Sequence, residues 1–315
     1  MSRFKFFEDD RNSVLKTAVP QPEVDINAVS EEYIEPERFR YRTEQIVITK
    51  FNGEIINHGT TKQEFLITKN YKKSLVNSVN VELVENVIKF EPPQLQTAIS
   101  LLCDFDIIKC DVELSVDPET GRFKEILSKS NLLDKWESYK KETLDVYNFV
   151  RSSESQQNIQ NFINAAQNQI MNDELLLADY ESKLFFDLIF DKYLVENEID
   201  YAYDKYFISN LFDYRKLLLH MGQLITVDSP DLVTITRTGV LDHKSLDRDM
   251  LVKQYDEKFK PYVDFKFSTY DYRFSQSYTI DTKQNVITSA DISITEEVKN
   301  NVQINITYEI KLVEL

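Results

Sequence analysis

Residues 110–126, CDVELSVDPETGRFKEI, are where the chain first declares its architecture. Val112, Leu114 and Val116 alternate with Glu113, Ser115 and Asp117, the period of a strand with one buried and one wet face. Ile108 and Cys110 extend the apolar side backward. Asp117, Glu119 and Gly121 then crowd a short turn before apolar residues resume. Asp accepts backbone N–H groups across a turn and Gly tolerates positive φ, so the stretch is expected to be a β-hairpin. The competing reading is a calcium loop. An EF-hand needs glycine at its sixth position, and counted from Asp117 the glycine is fifth, so no metal site is expected here. TIDTKQNVI (279–287) echoes the hairpin, with Asp281 standing for Asp117 and Asn285 for Gly121. The echo suggests one kind of bend used twice, in two related sheet-forming regions.

Working upstream, QIVITKF (45–51), EFLIT (64–68) and VNVELVENVIKF (79–90) are rich in β-branched and aromatic residues, with a turn expected around Gly53 and Gly59. Pro92 and Pro93 suit a first helical turn and are expected to open a helix over 92–105. Residues 1–40, interrupted by Pro20, Pro22 and Pro36, read as an arm.

Downstream, residues 131–221 read as helical, with Asn131 as an N-cap. Tyr180, Leu184 and Leu188 fall on one helical face and Asp187 and Asp191 on a polar one. YFISNLFDYRKLLLHMG (206–222) is taken as the last helix, with Gly222 at its C-terminus. Strands then return, broken by a short helix near 245–259. Tyr272, Phe274, Tyr278 and Ile280 share one strand face. Val302 to Leu312 alternates strictly, and a strand that long must be paired on both sides to avoid aggregation. The expected fold class is α+β: a flexible N-terminal arm (1–40), an antiparallel lobe (41–130), a helical segment (131–221) and a second antiparallel lobe (222–315).

Composition narrows function more by exclusion than by assignment. Only five glycines occur, and none belongs to a GxGxxG or GxxxxGK[ST] loop, so the usual phosphate cradles are missing and no cofactor is expected. A formal net charge of −16 opposes nucleic acid and anionic membranes and favours a basic protein partner. No apolar run approaches the length that spans a bilayer, and no secretory leader is visible. Two cysteines, Cys103 and Cys110, read as core thiols, and a cytoplasmic protein is expected. Residue usage rich in Asn, Lys, Ile and Tyr suits an AT-rich bacterial or phage genome.

His58, His220 and His243 show no metal-ligand spacing, and no serine sits in a GxSxG elbow. The leading expectation is therefore a non-catalytic protein-binding module: an adaptor, an inhibitor or immunity-type protein, or an assembly component. Its candidate contact residues are Phe4, Phe6 and Phe7 in the arm and Asp187, Asp191, Glu196 and Glu198 on the acidic helical face. The first alternative is a carrier holding an apolar molecule between aromatic sheet faces, motivated by 17 Tyr and 20 Phe, many of them on strands. The second is an enzyme using a carboxylate or Cys/His site.

Overall fold

Eleven strands form one antiparallel sheet in the order β5-β4-β3-β2-β1-β11-β10-β9-β8-β7-β6. The computed structural model describes residues 34–72, 75–91, 96–147, 153–195, 201–213, 215–263 and 265–314. The strands are β1 (Glu37–Phe51), β2 (Glu54–Lys72), β3 (Leu75–Glu91), β4 (Val112–Val116), β5 (Phe123–Ile126), β6 (Ala202–Ile208), β7 (Lys216–Ser229), β8 (Leu232–Leu241), β9 (Tyr270–Asp281), β10 (Val286–Val298) and β11 (Val302–Val313). Among the described residues six α-helices interrupt them: α1 (Gln96–Lys109), α2 (Lys129–Tyr147), α3 (Ser153–Met171), α4 (Asp173–Ser182), α5 (Leu184–Ile189) and α6 (Arg248–Lys258).

Each strand pairs with its neighbour in sequence, directly by a short connection or across α1 or α6, save at one seam. From β1 the chain meanders outward to β5, passes through α2 to α5, re-enters at the opposite edge as β6 and meanders back to the centre. There β11 pairs β1 from Arg40↔Val313 to Phe51↔Val302. The two sheet-forming regions read from the sequence thus join edge to edge, and the strictly alternating β11 is paired on both sides.

Several boundaries differ from expectation. The first strand begins at Glu37, inside the stretch assigned to the arm. The turn between β1 and β2 is Asn52–Gly53, both with positive φ, while Gly59 lies within β2. Ile108 lies in the last turn of α1 and Cys110 in the turn just after it, rather than opening β4. Asn131 sits inside α2, which starts at Lys129, and so does not cap it; further along the tract Asn172 caps α4, its side chain accepting from the Leu175 amide. Residues 202–208 and 216–222 are strand, not helix, and Gly222 lies in β7 opposite Thr238. Leu217 and Leu219 face the core there while Leu218 points outward, so period two overrides a leucine run that mimics a helix. Pro92 and Pro93 lie outside the described residues.

The core lies on the inward sheet face, where α5 seals it. Phe185, Phe186, Leu188, Ile189 and Phe190 are all buried. Phe185 stacks on Phe65 of β2 with ring centroids 3.7 Å apart and meets Tyr41 of β1 edge-on at 6.0 Å. Phe190 meets Phe123 of β5 at 5.1 Å. A six-residue helix has no stability of its own. Each buried ring contributes roughly 2–3 kcal/mol, and that packing is what holds α5 in place.

Candidate functional site

Asp187 and Asp191 are the acidic pair the sequence placed on a solvated helical face, and that placement is corrected. Asp187 belongs to α5, whose other side chains are core, so its carboxylate is carried inward with them. Only 13% of its side chain is exposed, and 9% of that of Asp191. Lys205 of β6 donates to both oxygens of Asp187 at 2.6 and 2.7 Å, and Arg122, beside β5, donates to one at 2.9 Å. Arg237 of β8 reaches Asp191 at 2.5 Å, donates to Gln223 and lies over the ring of Tyr278. Burial alone would raise the pKa of Asp187; Lys205 and Arg122 reverse that and hold it at about 2. These carboxylates tie β5 at one edge to β6 and β8 at the other, and their valences are already used. Glu196 and Glu198, and Phe4, Phe6 and Phe7, lie outside the described residues.

The acidic turn of the opening hairpin forms as expected. Asp117 accepts the amides of Glu119 and Thr120 at 2.8 and 3.0 Å, the Gly121 amide returns to the Asp117 carbonyl, and Gly121 has φ +70°. Asp117 also pairs with Lys124. Lys124 and the two amides hold its carboxyl down at about 2. Asp281 repeats the pattern with the amides of Lys283 and Gln284, and Asn285 takes φ +52°.

Other reactive groups are similarly committed. Cys103 and Cys110 are both free and buried, and burial pushes the Cys110 thiol up to about 12, far from a thiolate nucleophile. His220 pairs with Asp204 at 2.8 Å on the surface, which raises its pKa. Buried Glu296 of β10 accepts from Ser209, from the Asn210 amide at 2.6 Å and from Tyr270 at 2.7 Å. It thereby pins the β6–β7 connection to the sheet. Among the described residues no group of three or more His, Cys, Asp and Glu could hold a metal ion.

Among the described residues, two open surfaces combine apolar and polar groups in a way that bears on function. The first is a cleft of about 710 Å³ on the inward side, between the α4–α5 segment, β6 and the middle of the sheet. Ile294, Ile306 and Tyr272 floor it on one side, and Gln45, Thr61 and Gln63 on the other. The second is the outward face at the terminal strand, where Tyr206 (65% exposed), Ile208 (46%) and Val240 (65%) gather. Tyr206 stands opposite Leu218 in the register and Val240 opposite His220, so these side chains form one cross-strand cluster. None was singled out from the sequence. The signal was the aromatic-rich alternation YAYDKYFI (201–208), hidden by the leucine run that follows.

No family model matches the sequence, and no curated protein matches it. Among solved structures the chain is similar to one titled "Lipid-protein interactions in lipovitellin", with a TM-score of 0.44 at 10% sequence identity. That match covers 88% of this chain and 25% of the other, so the chain spans a quarter of that structure's length.

Proposed function

We propose that the protein is a non-catalytic module that binds a partner protein along the outward face and open side of β6. The observation that carries this reading is the apolar cluster of Tyr206, Ile208, Leu218 and Val240 on the terminal strands of a chain with net charge −16. Solvent-facing apolar clusters on an edge strand invite a further strand, which pairs by backbone hydrogen bonds and places alternate side chains on the neighbouring face. Asp204, paired with His220, and Asp242 border the cluster on one side and Lys216, opposite Ile208, on the other; with a net charge of −16 on the chain, the partner proposed is an extended segment alternating apolar and basic residues. An adaptor, an inhibitor of a basic protein or an assembly component would each use such a surface. Two further features support the reading. Beneath α5 the aromatic interior of the sheet is packed by Phe185 and Phe186 of the chain itself, so the core there is closed. The carboxylates and cysteines that would serve catalysis are paired or buried. No helix among the described residues is long and apolar enough to cross a membrane. The free cysteines favour a reducing compartment such as the cytoplasm.

The test uses a labelled peptide alternating valine and lysine, titrated by fluorescence anisotropy. Wild-type protein should bind it with affinity that falls as salt rises, and should ignore the peptide with glutamate in place of lysine. Tyr206→Ser with Ile208→Ser keeps the charge and removes the apolar surface, and should weaken binding at least about tenfold. Equal affinity for wild type and that double variant would sink the reading.

A further inference from the structure

We propose that the inward cleft is a binding site for a small, uncharged amphipathic molecule, with its apolar body against β6 and β9–β11 and its polar end on β1 and β2. The inference starts from an interruption in the inward pattern. Along β1 and β2 that face carries Tyr41, Phe65 and Ile67 where α5 covers it. Beyond the cover it changes to Gln45, Thr61 and Gln63, in the middle of an eleven-stranded sheet. Packing alone would put apolar side chains there, because amides facing a dry core cost free energy unless bonded. These three residues instead line the cleft. The Gln63 amide is turned sideways to Asn86 at 3.3 Å, which presents a hydrogen-bonding floor in place of a packed one.

Across the same cleft the floor is apolar. Ile294 and Ile306 are buried, and Phe207 of β6 rises as a wall whose ring lies 5.9 Å from Tyr272 and 4.8 Å from Phe274. One side therefore accepts a ring or short chain and the other hydroxyl, amide or carbonyl groups. Charge does not fit the interior of the cleft. Of the three lysines that line it, Lys183 and Lys205 are already paired with Asp106 and Asp187 at 3.0 and 2.6 Å, and Lys216 is exposed at the start of β7. An ionic ligand would have to displace a partly buried ion pair, whereas a neutral one leaves both intact. The volume of about 710 Å³ suits a single small molecule.

The probe is Prodan, a naphthalene with a dimethylamino group at one end and a ketone at the other, whose emission shifts to the blue on leaving water. Full-length protein should bind it saturably with one site per chain. Phe207→Ser should weaken binding about tenfold or more. Gln45→Leu with Gln63→Leu, which removes polar groups from a sheet interior and keeps the fold, should weaken Prodan several-fold. It should also strengthen binding of diphenylhexatriene, which has no polar end. Val240→Ser, in the exposed cluster of the opposite sheet face, should leave Prodan binding unchanged, which separates this site from the β6 partner surface. The proposal is overturned by absence of saturable binding, or by equal Prodan affinity in wild type and the Gln-to-Leu variant.

Discussion

Two hairpin turns share one local design and lead different lives. At Asp117–Gly121 and at Asp281–Asn285 an aspartate gathers the amides two and three residues on, and a residue with positive φ completes the bend. The first turn is docked. A Cβ on Gly121 would stand 2.1 Å from the Asp191 carbonyl oxygen, and neighbouring Arg122 reaches Asp187. The second is pinned from outside by Lys69 of β2, whose ammonium donates to the Asn285 carbonyl at 2.5 Å. Side-chain capping therefore makes the bend, and long-range packing decides what the bend is for.

The largest effect is expected where the docked turn is anchored. Asp187→Asn leaves Lys205 and Arg122 without their shared carboxylate and should destabilise the protein by about 3–5 kcal/mol at neutral pH, read from denaturant midpoints. Because Asp187 is held at about 2, below its ordinary 3.8, its contribution is present above pH 3.8. It should fade as pH falls through 2, and the variant should lack that acid-sensitive component.

Gly121→Ala should cost about 3 kcal/mol, since it meets both a strained φ and a backbone carbonyl. Asn285→Ala, where only the positive φ matters, should cost about 1 kcal/mol. If chemical denaturation gave equal losses at the two turns, the docking of the first would be wrong.

The second turn has its own signature in alkali. Lys69 is buried, and burial lowers its pKa from 10.5 to about 8. The unfolded chain thus binds more protons between pH 8 and 10.5, and stability should rise with pH through that window. Relative to Lys69→Met, wild type should gain about 3 kcal/mol across it, measured as the change in the difference between their denaturation midpoints.

The smallest expected effect is at the second aspartate. Asp281→Ala removes two exposed hydrogen bonds and should cost about 1 kcal/mol or less, measured by thermal unfolding.

How much of this was legible varies element by element. The hairpin at 110–126, the twin turn at 281–285, α6 and the paired alternation of β11 all follow from residue period and turn chemistry. The long helical tract was legible as helix but not as four pieces. Asn172 could be read as a cap, yet nothing local marks α5 as a buried plug. β6 and β7 were misread because Leu217, Leu218 and Leu219 suit a helix as well as a strand, and only pairing with β8 separates the two. The roles of Asp187 and Asp191 were hidden for a related reason. Their partners lie on three other strands or turns, and Arg122 precedes Asp187 by 65 residues.

Local chemistry, then, determined the α+β class, the bends and the absence of a phosphate-cradling loop, because side-chain period, positive φ and Asp capping act over a few residues. Only the tertiary structure decided that the two sheet regions are one sheet, that α5 occupies its aromatic interior, and that the acidic pair serves as an internal tie. Those outcomes depend on which distant surfaces exclude water together, and burial of that kind has no signature in any single stretch of chain.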